Sequence, residues 1–198
     1  MKILVQKYGG TSVSTPEKRA LIARCVQEAQ NEGFHVVLVV SALGRNGEPY
    51  ATDTLRSLIL QEYAGVSPRE LDLIMSCGEV ISAAILAAVL GNKGLPARAL
   101  TGIQAGFLTD GHYSEAEVVD CQPVKIRDVL QQNEVPVIAG FQGADPSGEI
   151  NTFGRGGSDT TAVILGAALG AEKVEIYTDV CGIMTADPRV VKSAKPID

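Results

Sequence analysis

The chain contains no tryptophan, only 5% of its residues are aromatic, and it has two histidines. So few aromatics exclude a stacking platform for single-stranded nucleic acid. A basic face is missing as well. Lys and Arg number 17 against 23 Asp and Glu, a net charge of −6, and the isoelectric point is near 5.0. A phosphate-backbone partner calls for the opposite balance, so no nucleic acid partner is expected. Nucleotide binding stays open, because it needs only local positive groups. Long hydrophobic runs are also lacking. The longest, Val80 to Leu90, is broken only by Ser82 and falls short of the roughly 20 residues that span a bilayer, so no membrane is expected. The opening stretch Met1 to Lys7 has neither the apolar region nor the cleavage site of a signal peptide. Cys25, Cys77, Cys121 and Cys181 are far apart and form no C-x-x-C. That spacing argues against a disulfide framework and against zinc, and the expected location is a reducing cytoplasm.

What is present suits a packed domain. Hydrophobic residues make up 45% and charged residues 20% of 198, and the mean hydropathy is +0.15. One domain over 1–198 is expected. Short β-branched runs alternate with helical patterns. Strands are predicted at Lys2–Lys7, Val36–Ser41, Ala97–Leu100, Val135–Ala139 and Lys173–Thr178, with a weaker one at Glu117–Cys121. Helices are predicted at Pro16–Glu32, capped by Thr15 and stopped by Gly33, at Thr52–Tyr63, at Pro68–Leu90 closed by Gly91, at Val124–Gln132, and at Thr160–Leu169 with Ser158 as its cap. Asp145-Pro146-Ser147-Gly148 reads as a turn. Apolar strands alternating with helices imply an α/β fold, a three-layer αβα sandwich on a mostly parallel sheet. In such sheets ligands sit at the carboxyl ends of the strands. Gly9-Gly10, Gly44, Gly140, Gly143 and Gly182 all follow strands, so polar loops converge on one edge.

Four segments carry possible chemistry. Lys7-Tyr8-Gly9-Gly10-Thr11-Ser12 ends a strand with a lysine and two glycines. It suits a phosphate cradle, although it is not a Walker A, and a plain strand-to-helix turn fits equally. Gly154-Arg155-Gly156-Gly157-Ser158-Asp159 places three glycines and an arginine before a helix. An anion is attracted there, and Arg155 can hold a carboxylate in bidentate fashion. Asp159 alone would be explained by the helix dipole, but the three glycines would not. In Ser76-Cys77-Gly78-Glu79, Glu79 either faces outward from its helix or binds an ammonium group. Thr178 to Arg189 is a polar loop that suits a nucleotide, or an ordinary connection. His35 and His112 lie apart from all four, at expected surface positions, and no Ser/His/Asp set is visible. Phosphoryl transfer to a carboxylate would need no general base, since that nucleophile has a pKa of about 4. Positioning and charge neutralisation would be enough.

Taken together and in order, these segments, with Val40-Ser41-Ala42 and Gly140-Phe141-Gln142-Gly143, resemble the aspartate kinases of the amino acid kinase family. The stretch Gly44 to Asp53 resembles the Gram-positive version. The resemblance implies transfer of the γ-phosphoryl group of ATP, carried with Mg2+, to the side-chain carboxylate of L-aspartate, the first step towards lysine, threonine and methionine. It implies Lys7 and Asp159 as catalytic residues, with Asp159 orienting the lysine. Ser41, Thr52, Glu79, Arg155 and Ser158 would line the aspartate pocket. Lys7, Gly9, Gly10, Thr178, Asp179, Met184 and Arg189 would hold the nucleotide. Met184 stands where the family usually has a tyrosine near the adenine, and Cys181 replaces a common aspartate. The family domain also continues into further elements with a second nucleotide lysine, followed by ACT domains. Lys192 and Lys195 follow Arg189 too closely to be that lysine. The expected partners are aspartate, ATP, further copies of the chain, and a partner chain supplying regulatory domains. Other family members act on glutamate, acetylglutamate, uridylate or carbamate; the Arg155 loop and Glu79 favour aspartate. A non-catalytic aspartate-binding or assembly module is the alternative from a different class.

Overall fold

A computed structural model describes residues 1–178, 185, 191 and 193–195. The chain opens with β1 (Ile3–Tyr8), the single turn α1 (Gly10–Val13), α2 (Pro16–Asn31) and β2 (His35–Val40). Then come α3 (Thr52–Glu62), α4 (Pro68–Asn92), β3 (Ala97–Leu100), β4 (Phe107–Thr109) and β5 (Val118–Cys121). The described part closes with α5 (Val124–Gln131), β6 (Val135–Ala139), β7 (Gln142–Ala144), β8 (Ile150–Thr152), α6 (Gly157–Leu169) and β9 (Lys173–Tyr177).

Among the described residues, five strands form the central sheet in the order β3-β6-β2-β1-β9, and every pairing between them is parallel. All five carboxyl ends therefore point to one edge, as the glycine positions predict. Side chains alternate across a strand, and that period sorts the core. Leu4 and Tyr8 of β1 join Val36, Leu38 and Val40 of β2 under α2 and α4. Ile3 and Val5 join Val37 and Val39 under α5 and α6. Lys7 has the parity of Ile3 and Val5, so it falls on the α6 side. Thr15 caps α2 by accepting a hydrogen bond from the Lys18 N–H.

Several sequence expectations are corrected. A second, four-stranded sheet, β5-β4-β7-β8, stands beside the first. Three of its strands are only three residues long, too short for any periodicity to register. Gln142 and Gly143, expected in a loop, lie in β7, and the Asp145–Gly148 turn joins β7 to β8 with a Gly148 N–H to Asp145 carbonyl bond of 2.9 Å. Helix α4 runs through Gly91 to Asn92, and the left-handed residue that ends it is Gly94. Ser158 does not cap α6: the cap is Gly156 in the left-handed region, with no side-chain bond, and Ser158 lies in the first turn.

At 25 residues, α4 is long and apolar enough to cross a membrane by length and composition. Here it is the core helix beneath the sheet, packed on β2, β3 and β6. Its buried stripe carries Asp72, Ser76, Glu79 and Ser82 among Met75, Leu86 and Leu90. Polar groups on such a stripe need partners inside the protein.

Candidate active site

The parity of β1 brings Lys7 to the first turn of α6. Its Nζ lies 2.7 Å from Asp159 Oδ1, with the lysine side chain 10% exposed and the aspartate 44%. One partner is buried and the other faces solvent, so the lysine charge is held in place without being fully neutralised. Its ammonium also lies over Gly9. Gly10 allows the turn to press on the next loop: a Cβ there would meet the Ala42 and Gly44 carbonyls at 2.5 and 2.6 Å. The Gly44 N–H closes the contact on the Gly10 carbonyl at 3.0 Å.

The loop after β2 brings Ser41 and Ala42 to the same edge. Helix α4 reaches it because position 78 is glycine; a Cβ would meet Ala42 Cβ at 2.8 Å and the Tyr50 carbonyl at 2.9 Å. Glu79, next in sequence, accepts the Ala42 N–H at 3.0 Å through Oε1. Its residue exposure is 2%, so the outward-facing alternative is overturned. Oε2 is buried and, among the described residues, accepts no hydrogen bond of good geometry, the Thr52 hydroxyl lying close to the carboxyl without completing one. Burial pushes the carboxyl up to about 8, against the pull of the Ala42 N–H and of the nearby Thr52 hydroxyl. A buried carboxylate with one oxygen unused is a place for a cation.

After β6, Gly140 passes against Ser158, which is itself 8% exposed. Phe141 adopts a φ of 68°, a rare conformation for a bulky residue. It is held there by its N–H on Thr161 Oγ1 at 3.1 Å and by the Phe153 N–H on its carbonyl at 2.9 Å. Arg155 is exposed and makes no hydrogen bond or ion pair among the described residues. Its guanidinium is available to an anionic ligand. Thr178 follows β9 at the same edge and is exposed. Asp179, Met184 and Arg189, like Cys181, lie outside the described residues. His112 is exposed and paired with Asp110 at 2.7 Å, and His35 begins β2 at the opposite edge. A hollow of about 330 Å³ there, lined by His35, Asn133 and Glu134 among others, is remote from these charges.

The sequence reading missed two polar residues that support the site. Gln142, 1% exposed, donates through Nε2 to the Ser76 carbonyl at 2.9 Å. Asp72, fully buried, stands two helical turns before Glu79. The signal was present: an acid spaced seven residues from another on one apolar stripe.

The geometry thus collects a lysine–aspartate pair, a glycine turn, an unspent buried carboxylate and a free arginine along one sheet edge. Residues 2–198 match the amino acid kinase family. The chain is 51% identical over 197 residues to aspartokinase 1 of Bacillus subtilis, covering 100% of this chain and 49% of that protein. Among solved structures, aspartate kinase from Synechocystis is 41% identical with a TM-score of 0.79, over 97% of this chain and 31% of that one. Aspartokinase III of E. coli, solved in complex with aspartate and ADP, is 28% identical with a TM-score of 0.80, over 100% of this chain and 54% of that one. The chain spans about half the length of the curated relatives it matches. Match and fold agree on the assignment: this chain belongs to the amino acid kinase family.

Proposed function

We propose that this chain transfers the γ-phosphoryl group of ATP to the side-chain carboxylate of L-aspartate. The observation that carries the reading is the Lys7–Asp159 pair at 2.7 Å, set at the carboxyl ends of the parallel strands. A buried lysine held by a half-exposed carboxylate is a fixed positive charge for phosphoryl oxygens. The likeness to aspartokinases supports aspartate as the acceptor.

In this reading the aspartate α-ammonium takes the free oxygen of Glu79, and its α-carboxylate takes Arg155. Ser41, Thr52 and Ser158 line the pocket between them. That leaves the side-chain carboxylate as the nucleophile. It is ionised at neutral pH, so no residue need remove a proton. One of its oxygens attacks the γ-phosphorus while the bond from that phosphorus to the bridging oxygen breaks. ADP leaves with the electron pair, and the product is the mixed anhydride 4-phospho-L-aspartate. Lys7 and the N–H groups of Gly9 and Gly10 offset charge on the transferring group, and Asp159 keeps the lysine aimed. ATP would be carried with Mg2+, and Thr178, Asp179, Met184 and Arg189 are the residues this reading assigns to the nucleotide.

The test is an ATP-plus-aspartate assay in which hydroxylamine traps the acyl phosphate, run beside Lys7→Ala. Loss of a preorganised charge is expected to cost roughly 10²–10³ in rate. Equal turnover by the variant would overturn the mechanism. Calorimetric binding of aspartate without ATP would instead favour the non-catalytic module, and preference for another acceptor in a substrate panel would move the chain within its family.

A further inference from the structure

Asp72 has no exposed surface and accepts four hydrogen bonds. Its Oδ2 takes the backbone N–H groups of Ser114, at 2.8 Å, and Thr152, at 2.7 Å. Its Oδ1 takes the hydroxyls of the same two residues, at 3.1 and 2.9 Å. None of these partners belongs to α4. Ser114 sits between β4 and β5 with a φ of 68°, and Thr152 ends β8. One side chain therefore clamps the core helix to two segments of the second sheet.

What the clamp lies between gives it a role. Glu79 follows Asp72 by seven residues on the same helix, a rise of about 10.5 Å along a rigid rod. Only Phe153 and Gly154 separate Thr152 from Arg155. Phe153 is 3% exposed, and its N–H is tied to the Phe141 carbonyl at 2.9 Å. A short, stiff path runs from Glu79 down α4, across Asp72 to Thr152, and up to Arg155. The bond from Gln142 to the Ser76 carbonyl is a second tie, but it reaches β7 and not the strand that leads to Arg155.

We infer that Asp72 is a positioning residue that fixes the separation of Glu79 and Arg155, and through it the grip on the two α-substituents of the amino acid substrate. This rests on the aspartate reading above. Asp72 does not touch substrate. Its function is geometric, so its shape and hydrogen bonds matter and its charge does not. An asparagine can reproduce all four bonds: the amide oxygen accepts the two N–H groups, and the amide N–H₂ donates to the two hydroxyl oxygens.

The experiment measures affinity for L-aspartate and for ATP in wild type, Asp72→Ala, Asp72→Asn and Thr152→Val. Misplacing one end of a two-point grip is expected to weaken aspartate about tenfold in Asp72→Ala while ATP changes less than about twofold. Asp72→Asn is expected to stay within about twofold of wild type for both. In an Arg155→Ala background, Asp72→Ala should have little further effect on aspartate, because coupled residues are not additive. A general loosening of the fold would weaken both ligands and add fully to Arg155→Ala, and either result overturns the proposal. So does unchanged aspartate affinity in Asp72→Ala. If Asp72→Ala does not fold, Thr152→Val decides: about threefold weaker aspartate with ATP unchanged supports the proposal, since one bond of the clamp is gone, and no change overturns it. Failure of wild type to bind aspartate would remove the underlying reading. Wild-type binding with an indifferent Asp72 removes only this inference.

Discussion

Asp72 and Glu79 share one helix, one buried stripe and one charge type, yet their surroundings treat them in opposite ways. Both oxygens of Asp72 are saturated by Ser114 and Thr152. Glu79 spends one oxygen on the Ala42 N–H and leaves the other buried with no hydrogen bond among the described residues. A saturated buried carboxylate belongs to the architecture, because each partner is another piece of chain. An unsaturated one is a standing cost that a ligand can relieve. The helix places its structural acid at the second sheet and its unspent acid at the carboxyl edge of the first. The polar stripe of α4 thus changes role within two turns.

The largest effect expected from this contrast is on stability. Asp72→Ala strands two backbone N–H groups and two hydroxyls, and should lower unfolding free energy by about 3–5 kcal/mol. Glu79→Gln keeps an acceptor for Ala42 and should leave stability unchanged or raise it. Urea unfolding of the two variants side by side checks this. Equal losses would mean that the two carboxylates do the same work, and the comparison would collapse.

Ligand affinity should invert the order. Glu79→Gln removes the carboxylate that the proposed reading assigns to the substrate ammonium, and on that reading aspartate should bind about 2–4 kcal/mol more weakly, roughly 30- to 1000-fold. Calorimetry at neutral pH reads it directly. A Glu79→Gln variant with wild-type affinity would assign the buried carboxylate to folding alone.

Titration sharpens the same contrast. Burial raises the Glu79 carboxyl from 4.5 to about 8. Between those values the folded chain holds a proton that the unfolded chain has lost, so stability must fall as pH rises. The slope is up to about 1.4 kcal/mol per pH unit. Below 4.5 both states are protonated, and above about 8 both are ionised, so the dependence flattens at each end. Subtracting the Glu79→Gln curve from the wild-type curve isolates this group. A flat difference between pH 5 and 8 would contradict it. Aspartate binding at pH 7 should then release a proton, visible as a dependence of binding heat on the buffer.

Much of this was legible in the sequence, and the failures have causes. Strands of four to six residues with β-branched runs announced themselves, as did the Thr15 cap and the convergence of glycine loops. Lys7 and Asp159 stood out as candidates, though only the parity of β1 shows why they meet. Of the second sheet only β5 was legible, as the weaker strand at Glu117–Cys121; β4, β7 and β8 are three residues long and carry no period, and the β4–β7 pairing that joins them spans 36 residues. Missing them hid Asp72, whose partners lie 42 and 80 residues away. Ser158 looked like a cap by residue type, but a left-handed Gly156 makes the start of α6 instead. Whether Glu79 faced outward or inward depended on which stripe of a largely apolar helix met the sheet, and a helix apolar nearly all round does not say.

The smallest predicted effect is the most discriminating, because it compares two threonines. Thr152→Val removes one hydroxyl from Asp72 and leaves the backbone N–H bond intact. The carboxylate keeps three of its four donors and the methyl fills the same volume, so the loss should be about 1 kcal/mol of stability. Thr52→Val removes the hydroxyl near Glu79. One oxygen of that carboxyl accepts no well-formed hydrogen bond among the described residues, and in the free protein below pH 8 the group is largely protonated. Stability at pH 6 should therefore move by less than about 0.5 kcal/mol. The change falls elsewhere. Without a hydroxyl that favours the ionised form, the Glu79 carboxyl should rise further and aspartate should bind more weakly at pH 7. Thermal melts and calorimetry on the two variants give a two-by-two outcome: stability lost at Thr152 with the roughly threefold weaker aspartate binding expected of a loosened clamp, and affinity lost at Thr52 with stability kept. A Thr52→Val protein that lost stability at pH 6 and kept its affinity would mean that Glu79 is part of the frame, as Asp72 is, and that the unspent oxygen waits for nothing.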